Sequence, residues 1–304
     1  MSAMKEIDEL AAKMDALGLW ERLLPYTWAI KPRGTVFPYF CQLLPVVPGG
    51  LLKARMLILE GWQTLHECAQ FRSGSEAGYV SAFMELVHFD FAIMSDDKVV
   101  ILRCETGYAP IAVTDAGRLK MIRKILWESY GLMLRLEAEP QLPLKYAAEK
   151  AIFARVEEAP GKWVDRPLEI PEPRRMVQKV TFNKGMLGKA KDLPIKAEVV
   201  WDVDFRLHDM IVTKDPRPRS IYILTAKDHA TGEKVLDLNT TINSEIGLAG
   251  MWESMPEQIL RKFVQDGLVP GEIRVSSQRM FRLLRPLGME LPIKLSLHIQ
   301  EKDS

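Results

Sequence analysis

Late in the chain, four residues have the types and spacing to do chemistry. Asp202, Asp204 and His208 occupy alternate positions of one stretch, and Asp228 follows in the run Asp228-His229-Ala230-Thr231-Gly232. Carboxylates two residues apart on a strand point to the same face. Asp202 and Asp204 are therefore the candidate metal ligands, for Mg²⁺ or Mn²⁺, and Asp202, Asp204 and Asp228 the candidate catalytic acids. A two-metal site needs several carboxylates converging on ions about 3.5–4 Å apart. One aspartate pair does not supply that set. Alternating charge is also what a solvated strand face shows, and Asp is a favoured turn residue, so Asp228 has a structural reading beside the catalytic one.

A second set is basic. From Arg174 to Lys196 the chain carries Arg174, Arg175, Lys179, Lys184, Lys189, Lys191 and Lys196 against one acid, Asp192. Further on, Arg279, Arg282 and Arg285 recur every three residues. Lysines and arginines in such a pattern can follow a nucleic-acid backbone. Only Phe182 interleaves the first group, so base stacking would be weak, and solvated linker and helix faces give the same pattern. His66, His88, His208, His229 and His298 show no zinc-type spacing with cysteine, and His66 and Cys68 lie too close in sequence for such a site. There is no P-loop, dinucleotide fingerprint, nucleophile elbow or aspartic-peptidase motif.

The elements that must position these residues run from Val199 to Ile299. Val199, Trp201, Val203, Phe205 and Leu207 alternate with charged or polar neighbours, a strand with one face on a core. Ile221 to Ala226 reads as a central strand, apolar on both faces. Val235 to Thr240 returns as its hairpin partner across Gly232. Trp252, Met255, Ile259, Phe263 and Val264 then recur at helical spacing, and Gly267 stops that helix. Pro270-Gly271 leads into a short strand, Glu272 to Val275. Ser276 or Ser277 caps a second helix with Met280, Leu283, Leu284 and Leu287 inward, expected to end near Pro286. Ile293, Leu295, Leu297 and Ile299 make a final strand.

This β-β-β-α-β-α-β order resembles the ribonuclease-H-like core of integrases and DDE transposases. The resembling residues are Trp201-Asp202-Val203-Asp204-Phe205, Ile221 to Val235, and Gly267-Leu268-Val269-Pro270-Gly271-Glu272-Ile273-Arg274-Val275. The resemblance implies a first-strand Asp and an acid just after the fourth strand as metal ligands, with a third acid from a later helix. Ser276 and Ser277 stand where the second acid is expected. With the chain ending at Ser304, the helix bearing the third is expected to be missing. The whole chain is also similar to a bacterial two-domain family built from domains of unknown function.

The chain has 304 residues, enough for two domains. The expected division is an N-terminal helix and linker over 1–31, an α+β domain over 32–158, a Pro-, Gly- and Lys-rich linker over 159–197, and the ribonuclease-H-like domain over 198–304. Within the first domain, hairpins flank Pro48-Gly49-Gly50 and Ser95-Asp96-Asp97. Helices are expected over Trp62 to Phe71, from a cap at Thr114 or Asp115 to Glu128, and from Pro143 to about Glu158. Gly131 to Glu137 reads as a strand. A net charge of +1 excludes a global field that would steer nucleic acid or membrane. Three cysteines, an odd number, argue for a reducing compartment, and no apolar run is long enough for a membrane span. The expectation is a cytoplasmic α/β protein that binds nucleic acid or another protein without catalysis. It has no cofactor, unless Asp202 and Asp204 hold Mg²⁺ or Mn²⁺ in a nuclease-like hydrolase.

Overall fold

The computed structural model describes residues 2–18, 20–24, 26–72, 87–142, 151–172, 180–212, 218–242 and 247–298. The protein is mixed α/β and divides into two units. One comprises Met1–Thr106 and Pro110–Arg174, the other Gly107–Ala109 and Arg175–Ser304.

The first unit is built on eight strands: β1 (Thr27–Lys31), β2 (Tyr39–Leu44), β3 (Leu52–Glu60), β4 (His88–Met94), β5 (Val99–Cys104), β6 (Ile111–Ala112), β7 (Ala151–Ala159) and β8 (Lys162–Glu169). They line up in the order β6-β5-β4-β3-β2-β1-β7-β8. Neighbours are antiparallel except β1 and β7, which are parallel. One sheet face packs on α1 (Ala3–Ala16) and α4 (Ala116–Ala138), burying Ile7, Met14, Ile122 and Leu126 against Trp28, Met56 and Phe91. Between them in sequence lie the single turn α2 (Trp20–Leu23) and α3 (Gly61–Arg72). The latter packs Leu65 and Cys68 on the other sheet face, against Phe40, Leu57 and Leu59. Strands covered on both faces explain the apolar runs at 39–44 and 54–59.

Three expectations fail here. The helix read from Pro143 to Glu158 is, over its described part, strand β7. Its Ile152, Phe153 and Ala154 are consecutive and all buried, with Phe153 in one core and its neighbours in the other. Pairing to β1 and β8 overrides helical propensity. Conversely, Gly131 to Glu137 is not a strand but the end of α4, whose Leu132, Met133 and Leu136 continue the buried stripe. Residues 162–169, expected in a linker, form β8 at the sheet edge.

The second unit has α5 (Lys184–Lys191), β9 (Ile195–Val212), β10 (Arg219–Asp228), β11 (Lys234–Thr241), α6 (Gly247–Asp266), β12 (Val269–Val275), α7 (Gln278–Glu290) and β13 (Lys294–Leu297). The strand order is β11-β10-β9-β12-β13. The first three form an antiparallel meander, and β12 and β13 add in parallel beside β9. Helix α6 covers one face, with Phe263 5.2 Å from Trp201 and Trp252 edge-on to Phe205 at 4.5 Å between ring centroids. Helix α7 packs beside it, and Met280, Leu283, Leu284 and Leu287 are buried.

Strand β10 is not apolar-buried on both faces as expected. Tyr222, Leu224 and Ala226 are buried, whereas Ile221, Ile223 and Thr225 are only half-buried on the side away from α6. Ser277, not Ser276, caps α7, its hydroxyl accepting from the Met280 amide. The helix runs past Pro286 to Glu290, held by the burial of Leu287. Strand β12 begins at Val269, so Gly271 lies inside it, where a Cβ would meet the Ala197 backbone at 2.7 Å. Among the described residues, no helix is long and apolar enough to cross a membrane.

Candidate functional site

The face of the second sheet opposite α6 gathers the polar chemistry. Because Trp201, Val203 and Phe205 face α6, Asp202, Asp204, Arg206 and His208 face away. Register then sets Arg274 of β12 beside Asp202, Ser296 of β13 beside Arg274, and Lys294 beside Glu272. The carboxylates of Asp202 and Asp204 are about half exposed.

These side chains form a relay. His229 Nδ1 lies 2.8 Å from Asp202 Oδ2, and Arg274 Nη1 lies 2.9 Å from His229 Nε2. A guanidinium only donates, so Nε2 must be the acceptor and Nδ1 must carry the proton that goes to Asp202. The geometry thus assigns His229 the neutral Nδ1–H tautomer. Arg274 is oriented in turn by Glu272, at 3.1 Å. Glu272 also accepts from the Ser296 hydroxyl at 2.6 Å and from Lys294 at 3.2 Å. Those donors, Ser296 first and then Arg274 and Lys294, hold its carboxyl down at about 2. Beside this relay, the Ser276 hydroxyl donates to Asp204 Oδ1 at 3.2 Å, and Arg206 lies 3.9 Å from the same carboxylate.

Asp228 is engaged locally. Its Oδ1 accepts from the amides of Ala230 and Thr231 and from the Thr231 hydroxyl, at 3.0, 2.9 and 3.2 Å. These bonds, the Thr231 amide first, hold its carboxyl below the ordinary aspartate range and close a turn. His208 sits two residues beyond Arg206 and pairs in register with Ile221.

The basic set lies elsewhere. Arg174, Arg175 and Lys179 fall outside the described residues. Lys184 and Lys189 are exposed on α5, which packs against α6, while Lys191 pairs with Glu290 at 2.7 Å. The Arg279 guanidinium stacks 3.6 Å over the Trp252 ring, and Arg282 and Arg285 are exposed on α7. Of the described residues, Lys184, Lys189, Arg279, Arg282 and Arg285 belong to the helix layer, whereas Asp202 and Asp204 lie on the opposite face of the sheet.

Sequence reading passed over His229, Glu272 and Arg274. The alternation Glu272-Ile273-Arg274-Val275 held a signal for the last two. What put Arg274 beside Asp202 is the register of β12 on β9, which no local pattern encodes. In the first unit a cleft of about 290 Å³ is lined by Val36, Phe37, Tyr39 and Glu60 among others. Also in that unit lies a group of three ligand-type side chains, His88, Asp90 and Cys104, with ligand atoms within 4.8 Å of one another. It is the one such group among the described residues, so Asp202, Asp204, Asp228 and His208 do not form one.

Comparison with known families places a domain of unknown function (DUF6930) over residues 186–300, from α5 through β13. No curated protein and no solved structure matches the chain.

Proposed function

We propose that the second unit is a ribonuclease-H-like binding module that holds a partner, nucleic acid or protein, without cutting it. The three-stranded meander followed by two helix-linked parallel strands supports the ribonuclease-H-like assignment. Resemblance of the whole chain to a bacterial two-domain family belongs to the same reading. The observation that carries it is Ser276. It sits just after β12, where the resemblance implies the second metal-binding acid, and its hydroxyl is bonded to Asp204. A hydroxyl donor there satisfies the carboxylate but adds no negative charge to attract a divalent ion. Asp202 is likewise engaged by His229.

The test is a nuclease assay on single- and double-stranded substrates in Mg²⁺ and in Mn²⁺. No cleavage is expected. Cleavage that disappears in Asp202→Ala or Asp204→Ala would instead make this a metal-dependent hydrolase. Oligonucleotide binding measured across salt concentrations identifies the partner class. Affinity falling steeply with salt means phosphate contacts, whereas a salt-independent affinity, or none at low salt, rules out a nucleic-acid partner.

A further inference from the structure

We propose that His88, Asp90 and Cys104 form a binding site for a divalent transition metal of the zinc class in the first unit. The proposal is independent of the second unit's role. His88 and Asp90 are two residues apart on β4, so both project to the same face, and Cys104 on β5 is the direct cross-strand partner of His88. All three are at least nine-tenths buried, at 1%, 8% and 4% exposure. The rest of β4 shows how unusual this is. Phe89, Phe91 and Ile93 fill the opposite core, while imidazole, carboxylate and thiol occupy the second face of an interior strand.

The donor set fits the cation. One nitrogen, one sulfur and one carboxylate oxygen are the ligand types zinc takes. Their atoms lie within 4.8 Å of one another. A tetrahedral ion with bonds of ~2.0–2.3 Å needs ligand atoms separated by ~3.3–3.8 Å, which small side-chain rotations supply. Three protein ligands leave one position for water or another molecule, as in catalytic rather than structural zinc sites.

A supporting shell is present. Arg55 holds Asp90 through both carboxylate oxygens, Nε to Oδ1 at 3.0 Å and Nη2 to Oδ2 at 2.6 Å. A carboxylate offers about four acceptor positions, so the clamp orients Asp90 and still leaves lone pairs for an ion. Zinc-class metals take cysteine as the thiolate, so M²⁺ plus Cys104–SH gives the thiolate complex and H⁺.

The experiment uses the full chain, stripped with a chelator and titrated with Co²⁺ as a spectroscopic stand-in for Zn²⁺. One equivalent should bind, with a thiolate-to-cobalt charge-transfer band, tetrahedral d–d bands and release of about one proton. Cys104→Ser should lose the charge-transfer band, and His88→Ala and Asp90→Asn should weaken binding at least tenfold. Cys68→Ser, on α3, should leave the spectrum unchanged. If Cys104→Ser does not fold, the other two substitutions carry the comparison. The proposal is overturned by no stoichiometric uptake, by uptake without the charge-transfer band, or by a band that survives in Cys104→Ser.

Discussion

Glu272 and Glu157 show how single carboxylates tie local structure to pH. Glu157 is almost fully buried and accepts from Lys124 at 2.5 Å and from the amides of Arg33 and Gly161 at 2.9 Å each. Like Glu272, it is held at about 2, in its case by Lys124 first, against an ordinary 4.5. A carboxyl depressed in the folded state contributes stability that is complete above 4.5 and lost as pH falls toward 2. Glu157→Gln keeps the shape but weakens three charge-assisted bonds, and should cost about 2 kcal/mol at neutral pH. Urea unfolding at pH 7 and pH 3 should show the difference shrinking in acid. A constant difference would mean that the carboxylate charge contributes nothing. The relay at Asp202 makes a second prediction at this scale. In ¹⁵N-resolved NMR spectra His229 should show the Nδ1–H tautomer. Arg274→Ala removes the donor to Nε2 and should shift the ring toward a mixture, whereas an unchanged tautomer would show that Asp202 alone sets it.

At the scale of elements, what could be read from the chain depended on whether each segment's pattern was its own. Strand β9, α6 and α7 each carry a period of two or of three and four, and each formed around the residues that carry it, although α7 runs on past Pro286. The acid pair was legible for the same reason. Strand β7 was not, because its helix-like spacing is overridden by pairing with β1, more than a hundred residues earlier in the chain. The partners of Asp202 were hidden in the same way, since Arg274 reaches it only through strand register. The two serines before α7 were ambiguous in sequence and are distinct in structure. Ser277→Ala removes the N-cap and should destabilise the second unit by about 1 kcal/mol. Ser276→Ala touches an exposed hydroxyl and should be close to neutral. Chemical denaturation of the pair distinguishes them, and equal effects would show that the cap contributes no more than the bond to Asp204.

Across the whole molecule, chain order and structural units do not coincide. Gly107–Ala109 lies between two segments of the first unit yet belongs to the second. Its bonds there are main-chain ones: the Ser220 amide donates to the Gly107 carbonyl and the Ala109 amide to the Pro218 carbonyl, each at 3.0 Å. Backbone pairing of this kind leaves little trace in residue type, which is why a single boundary near 159–197 was the natural reading. One residue does carry the trace. Gly107 has φ +80°, and a Cβ on it would stand 1.4 Å from Ile242 Cδ1. A side chain there is therefore strained twice, by backbone conformation and by overlap. Gly107→Ala in the full chain should cost about 2 kcal/mol, and the cost should fall on the second unit. Hydrogen exchange should quicken at Ser220 and along β10 while the eight-stranded sheet keeps its protection. If exchange instead rose evenly through both sheets, or not at all, the segment would not be an integral part of the second unit.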